Sequence, residues 1–307
     1  MIKLFKFIFL GLLIFTPAKS SENTIKIRVN NEIITSLDLE SEYNYLLALN
    51  NKLNNLDDLI IKKLAKQSII RETIKKEELL KYYDLDKETE FLDGVIKEFY
   101  TRLNIKDINE FSDYLNGYNL NLDNVKNKIK IEMLWNRLIG LKYRDLLNIN
   151  KKSLREQIEK NSTKNFSNEY ELSEIVFEIN SANNLDEEMN IIQKTIDEQG
   201  FSIAANIYSI ADSSKFGGDI GWIEEKNLSK KIIKDIQELK VGEISKPIKI
   251  PNGFLILKVK SKKDKIINVD KDKLLQEAIL FEKNRQFNQF SIIYYNKINL
   301  NSVISEL

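Results

Sequence analysis

Apolar and polar residues alternate over residues 25–35, IKIRVNNEIIT, on either side of Asn30-Asn31, which predicts two short strands joined by a turn. The next residues, TSLD, have capping-box spacing. The Thr35 hydroxyl can accept an exposed backbone N–H and Asp38 can reach back, so a helix is predicted from there to about residue 50. Over residues 56–80 the period becomes helical, with Leu56, Ile60 and Leu64 in one lane and Ile61, Ala65 and Ile69 in the next. Lys and Glu fill the opposite face. Helices are predicted again over about 87–103, 107–117 and 122–147, and no proline falls between Pro17 and Pro247 to break them. Leu134, Trp135, Leu138 and Leu141 are assigned to the core of this bundle.

The charged stretch 150–168 is given no element, and after it the texture changes. Residues 170–179, YELSEIVFEI, read as a strand, and 185–199 as a helix ended by Gly200. A short helix from residue 201 leads into an extended piece. A helix is expected over about 229–239, then two strands about a turn at Pro251-Asn252-Gly253. The basic run 258–265 reads as a solvated linker. The order strand, helix, helix, strand, helix, strand, strand makes a compact α/β unit. A last amphipathic segment, 274–295, carries a stripe of Ala278, Phe281, Phe287 and Ile292, with Tyr294 and Tyr295 assigned to core packing.

Composition then narrows the chemistry. The 307 residues suit two modest domains, and 47 Lys and Arg against 46 Asp and Glu leave a formal net charge of +1, so no overall field draws nucleic acid. The chain has no cysteine and no histidine, which excludes disulfides, thiol nucleophiles, Cys-ligated zinc, imidazole bases and HExxH metal sites. No metal or other cofactor is expected. Residues 1–20 read as an export signal: Lys3 and Lys6, an apolar run over 7–15, then Ala18-Lys19-Ser20, suited to cleavage after Ser20. A membrane anchor is the rival reading, but a span needs about 20 apolar residues and this run is far shorter. The processed protein is expected to be exported, with no integral membrane span.

Three of the ten glycines, Gly217, Gly218 and Gly221, stand within five residues in KFGGDIGWIE, beside Trp222. Such a cluster marks backbone geometry that side chains do not accept. Asp219 is read as a hydrogen-bond acceptor fixing the loop. Gly242-Glu243-Ile244-Ser245 with Pro247, and then residues 253–258, follow in order. Together these elements resemble the parvulin-type peptidyl-prolyl isomerases. The segments VNNEIITSLDLE and LDDLIIKKLAKQSIIRETIKK resemble the opening and the next helix of the SurA family of periplasmic chaperones. In that family a helix after the parvulin unit packs back on the N-terminal bundle. The resemblance covers essentially all of the chain after the signal, with one parvulin unit where fuller members carry two. It implies an α+β fold: a signal peptide at 1–20, a helical SurA-type chaperone domain at 21–165, a parvulin-like domain at 166–263, and a C-terminal helix region at 264–307 that completes the helical domain.

Active parvulins place one histidine on the first strand and one on the last, and by this resemblance those positions fall at Glu174 and Leu255. The family's Cys or Asp position falls at Ala211 or Asp212, and the aromatic that walls the proline pocket at Ile232, beside Leu228. Rotation about a peptide bond meets a barrier of about 18–20 kcal/mol. A catalyst must desolvate the prolyl imide and disfavour its planar resonance. Glu174 can accept hydrogen bonds but does not supply the pair of ring nitrogens, and Leu255 supplies nothing polar. The implied site is therefore a peptide-binding surface on Ile220, Leu228 and Ile232, braced from the core side by Trp222, in a module that is catalytically weak or inactive. For the whole protein the resemblance implies an ATP-independent periplasmic chaperone. Its partners would be unfolded outer-membrane or exported polypeptides, with the outer-membrane assembly machinery as a further partner. The alternative is an active prolyl isomerase assisting outer-membrane protein folding.

Overall fold

Strand β1 (Ile25–Val29) pairs antiparallel with β2 (Glu32–Thr35), and the turn between them puts Asn30 at φ +51°, a left-handed conformation that Asn tolerates. These coordinates are a computed structural model that describes residues 23–307 except 88, 90, 162–165, 180–183, 252 and 267–270. The expected export signal and its cleavage site, and Asn252 of the expected turn, lie outside the described residues.

Helix α1 (Ser36–Leu49) starts on the expected capping box: the Asp38 amide donates to Thr35 Oγ1 at 3.3 Å and the Thr35 amide to Asp38 Oδ2 at 2.8 Å. Next come α2 (Asp58–Leu80), α3 (Leu92–Arg102), α4 (Ile108–Asn116) and α5 (Leu122–Tyr143). Asp57, Asp107 and Asn121 accept first-turn amides of α2, α4 and α5, satisfying donors that the helix itself leaves free. Leu134, Trp135 and Leu138 are buried as expected. Leu141 is not: it is 55% exposed, because the last turn of α5 packs Tyr143 inward instead.

Helix α6 (Lys151–Asn161) occupies the stretch that was given no element, and it is held by Leu154 and Ile158. The α/β unit then begins with β3 (Phe166–Phe177), followed by α7 (Leu185–Gln199), α8 (Phe201–Tyr208), β4 (Asp219–Glu224), α9 (Lys230–Ile236), β5 (Ile248–Ile250) and β6 (Gly253–Ile266). Its four strands run antiparallel in the order β4-β3-β6-β5. The basic run 258–265 is strand, not linker. It lies along β3, where Lys260 pairs with Glu171 at 2.8 Å and Lys263 with Glu169 at 2.9 Å. Carboxylates on the neighbouring strand thus absorb a charge run that looks solvated when read alone.

Helix α10 (Lys271–Asn299) returns to the bundle. Tyr143 stacks on Phe290 with centroids 4.8 Å apart, and Trp135 Nε1 donates to Ser291 Oγ at 2.8 Å. A short strand β7 (Ile304–Glu306), not predicted from the pattern, then adds to β1 and completes a three-stranded sheet. The Asn30 side chain fixes that meeting by accepting from the Val303 amide at 2.7 Å. The fold is α+β: a helical part built from both ends of the described chain, with the α/β unit between them in sequence.

Candidate functional site: a cleft between the α/β unit and the helices

The pleat of the four-stranded sheet sorts its side chains onto two faces. Ile175 and Phe177 of β3 and Ile256 of β6 point to one face and pack against α7 and α8. Leu172 and Val176 of β3 and Leu255 and Leu257 of β6 share the other with Leu228, Ile236 and Ile248. Ile220, Ile223 and Ile232 pack onto this second face, and so do Phe281 and Ile292 of α10. Between the sheet, α10 and the bundle lies a cleft of about 800 Å³.

Of the residues singled out in the sequence, Glu174, Asp212, Asp219, Ile220, Leu228, Ile232 and Leu255 line this cleft. Trp222 does not. It is 44% exposed, with the Lys263 ammonium 3.9 Å from its ring centroid, so it neither braces the core nor walls the cleft. The cause is a bulge. Gly221 sits at φ +70°, and the β3–β4 register shifts between Leu172 and Ser173, leaving Ile220 as an extra residue. Alternation therefore breaks at Gly221: Ile220 and Ile223 turn into the cleft, and Trp222 turns out.

The glycine pair serves contact. A Cβ on Gly218 would come 2.2 Å from the Glu174 carbonyl oxygen and 2.9 Å from the Ala205 Cβ. A Cβ on Gly217 would stand 1.9 Å from Ser202 Oγ, the group that accepts from Asn50 Nδ2 at 3.0 Å. The first glycine to appear in the motif thus lies against α1's end, and the second against β3. Asp219 accepts from the Gly221 amide at 3.0 Å and from Lys260 Nζ at 3.1 Å, which holds the bulge.

Glu174 projects from β3 into the cleft and accepts from Ser213 Oγ at 2.9 Å. Burial raises its pKa above the usual carboxylate range; the Ser213 hydrogen bond works against that, and the nearby Asp212 charge adds to it. Across the ladder Glu174 faces Leu257, and Val176 faces Leu255, which is buried. The surface can desolvate an extended apolar segment. It offers one carboxyl and one hydroxyl for hydrogen bonding, and the Leu255 position offers nothing polar.

Sequence reasoning missed the other wall. Phe281 and Ile292 were seen as part of a helical stripe, but Phe287 of the same stripe joins the bundle core instead. The bundle contributes Phe99, whose ring meets Phe216 edge-on with centroids 5.7 Å apart. Below them is an ion cluster. Lys75 Nζ lies 2.7 Å from Glu132 and 3.4 Å from Asp212, and Lys215 Nζ lies 3.2 Å from Glu132. Burial alone would raise the Glu132 carboxyl, but the Lys75 and Lys215 ammonium groups outweigh it and hold it well below its ordinary value. Beside it, Lys128 joins the fully buried Glu42 at 2.7 Å and Glu72 at 2.9 Å. Such lysines carry no motif, and in a chain with 47 basic residues no spacing would have marked them.

This fold and cleft define a parvulin-type domain set against a helical part. Residues 175–261 match the rotamase family model, described as a PPIC-type PPIASE domain. The chain is 27% identical to the Chaperone SurA of Pseudomonas putida over 183 residues, covering 57% of this chain and 43% of that one. It is 25% identical to the Chaperone SurA of Hydrogenovibrio crunogenus over 273 residues, covering 85% of this chain and 60% of the other. The foldase protein PrsA of Geobacillus kaustophilus is 38% identical over 82 residues, 26% of this chain and 29% of the relative. A solved SurA-like chaperone of Campylobacter jejuni aligns over 93% of this chain and 99% of its own, at 17% identity and a TM-score of 0.35. The chain is SurA-like and carries one parvulin-type domain. It spans 43% and 60% of the two SurA relatives described here. Among the described residues no helix is long and apolar enough to cross a membrane.

Proposed function

We propose that this protein is an ATP-independent periplasmic chaperone that holds unfolded outer-membrane or exported polypeptides in the cleft between the parvulin-type domain and α10. The observation that carries the reading is the cleft itself: Ile220, Leu228 and Ile232 of the α/β unit and Phe281 and Ile292 of α10 together line a space of about 800 Å³. That space accommodates several side chains of an extended segment, and apolar burial supplies about 25 cal/mol per Å² removed from water. Micromolar affinity, about −8 kcal/mol, would let clients leave downhill without a nucleotide. The names of the SurA and PrsA relatives support the same reading.

In this reading the parvulin-type domain is a peptide-binding module with little isomerase activity. Glu174 and Leu255 stand where active parvulins carry their histidines. Glu174 accepts one hydrogen bond from Ser213, where two imidazoles would form a network. The domain boundaries proposed are 21–165, 166–263 and 264–307, with residues 1–20 as the export signal and the outer-membrane assembly machinery as a downstream partner.

Two assays test the proposal together. At low micromolar concentration the purified protein is expected to slow light-scattering aggregation of an unfolded outer-membrane protein; no slowing refutes the chaperone reading. In a protease-coupled assay on a proline peptide the expected rate is that of the uncatalysed reaction. A clear acceleration would favour the active isomerase instead.

A further inference from the structure

Two guanidinium groups on the cleft wall have no carboxylate partner among the described residues. Arg71 of α2 lies 5.5 Å from the Tyr295 ring centroid, and Arg102 at the end of α3 lies 5.7 Å from that of Phe216; both line the cleft. The carboxylates lining the same space are otherwise engaged. Glu132 is held by Lys75 and Lys215, Asp212 by Lys75 at 3.4 Å, Glu282 by Arg285 at 2.6 Å, and Asp219 by Lys260 at 3.1 Å. Glu174 has no cation partner among the described residues and is hydrogen-bonded to Ser213 at 2.9 Å. Lys231 and Lys249 also line the space, with Lys231 Nζ donating to the Lys249 carbonyl at 3.1 Å. The balance on the wall is positive, although the chain as a whole is nearly neutral.

A guanidinium over an aromatic ring is partly desolvated and suited to a forked carboxylate contact; Arg71 also hydrogen-bonds to the Tyr295 hydroxyl, which leaves most of its five N–H donors for a ligand. We propose that the cleft selects apolar polypeptide segments flanked by Asp or Glu, with Arg71 and Arg102 as the selecting groups. This rests on the cleft being the client site and adds what the client must carry. Apolar burial between Ile232 and Phe281 provides the hold. The two arginines, which both belong to the helical part, bias which segments stay.

Three labelled peptides decide it, sharing one Ile/Phe/Val core and flanked by Asp and Glu, by Asn and Gln, or by Lys. Their binding to the purified protein is read by fluorescence anisotropy at low and high salt. The acidic peptide is expected to bind about tenfold more tightly than the lysine peptide at low salt, with a gap that shrinks as salt screens the charges. The R71Q/R102Q double variant is expected to bring the acidic peptide down to the affinity of the neutral one. Equal affinity of all three peptides, or a preference for lysine, overturns the selection while leaving the cleft as a client site. If no peptide binds, or if the cleft is instead closed by a second copy of the chain at the same concentration, both readings fail. The peptide series on the unmodified protein keeps the test valid should the double variant fold poorly.

Discussion

The loop at residues 212–217 and helix α10 join the parvulin-type domain to the helical part at two places, and the joints differ in chemistry. The first is polar. Lys215 and the exposed Asp212 form an ion cluster with the buried Lys75 and with Glu132, and Ser202 and Asn206 bond to Asn50 at 3.0 and 2.7 Å. Each bond there has a direction, and a charge left alone in that setting is costly, so the joint specifies one arrangement. The second is apolar. Phe281 and Ile292 rest on the sheet face, one hydrogen bond from Asn296 Nδ2 to Glu178 Oε1 at 2.8 Å stands at the far end, and the space beside the two apolar side chains is open. Dispersion and burial do not depend on which apolar group supplies them. One joint fixes the domain, and the other leaves a surface that a client can share.

Breaking the polar joint gives the largest expected effect. Glu132→Gln leaves Lys215 without its carboxylate and Lys75 with Asp212 alone, at a cost of about 3 kcal/mol in unfolding free energy. Chemical denaturation would measure it, and a loss under about 1 kcal/mol would mean that the cluster is effectively solvated. The same joint has a pH signature. Glu132 is depressed below its ordinary 4.5, so its contribution is complete above pH 4.5 and is lost as pH falls through the lowered value. Lys215 is raised above 10.5, so its contribution is complete below that pH and is lost as pH rises through the raised value. Neither group changes charge between pH 4.5 and 10.5, so any change there in the hydrogen-exchange protection of residues 212–217, corrected for the intrinsic exchange rate, should come from Glu174, whose raised carboxyl accepts from Ser213.

The apolar joint should respond in the opposite manner. Phe281→Ala removes a half-buried ring, with an expected stability loss of about 1–2 kcal/mol but a larger fractional loss of client holding in the aggregation assay. The smallest effect is expected at Trp222, which lies outside both joints. Trp222→Ala forfeits a contact with Lys263 worth about 0.5–1 kcal/mol and leaves client holding unchanged.

How much of this could be read from the sequence follows the same division. Features fixed by neighbours along the chain were legible: the Thr35–Asp38 capping box, the Gly200 stop and the glycines of residues 217–221, whose φ values of +67°, +78° and +70° suit that residue. Features fixed by distant partners were not. Strand β7 has three residues and no pattern of its own; it exists because β1 offers an edge. Helix α6 looks like a charged linker until Leu154 and Ile158 meet Leu275 and Ala278. Lys260 and Lys263 looked solvated because Glu171 and Glu169 lie far away in sequence. Trp222, expected to brace the groove from the core side, is turned outward by the bulge at Gly221, which depends on pairing with the distant β3. Within the site, the parvulin-type wall was visible from Ile220, Leu228 and Ile232, whereas Arg71, Phe99 and Arg102 carry no local mark of the cleft they line.

The central claim is that clients occupy the cleft, and Ile232 and Trp222 provide a paired test of it on one domain. A photo-crosslinking residue placed at 232 faces the cleft; placed at 222 it faces away. With an unfolded outer-membrane polypeptide present, illumination should yield a client adduct from position 232 and little from 222. Equal adducts at both positions, or an adduct at 222 alone, would contradict the account.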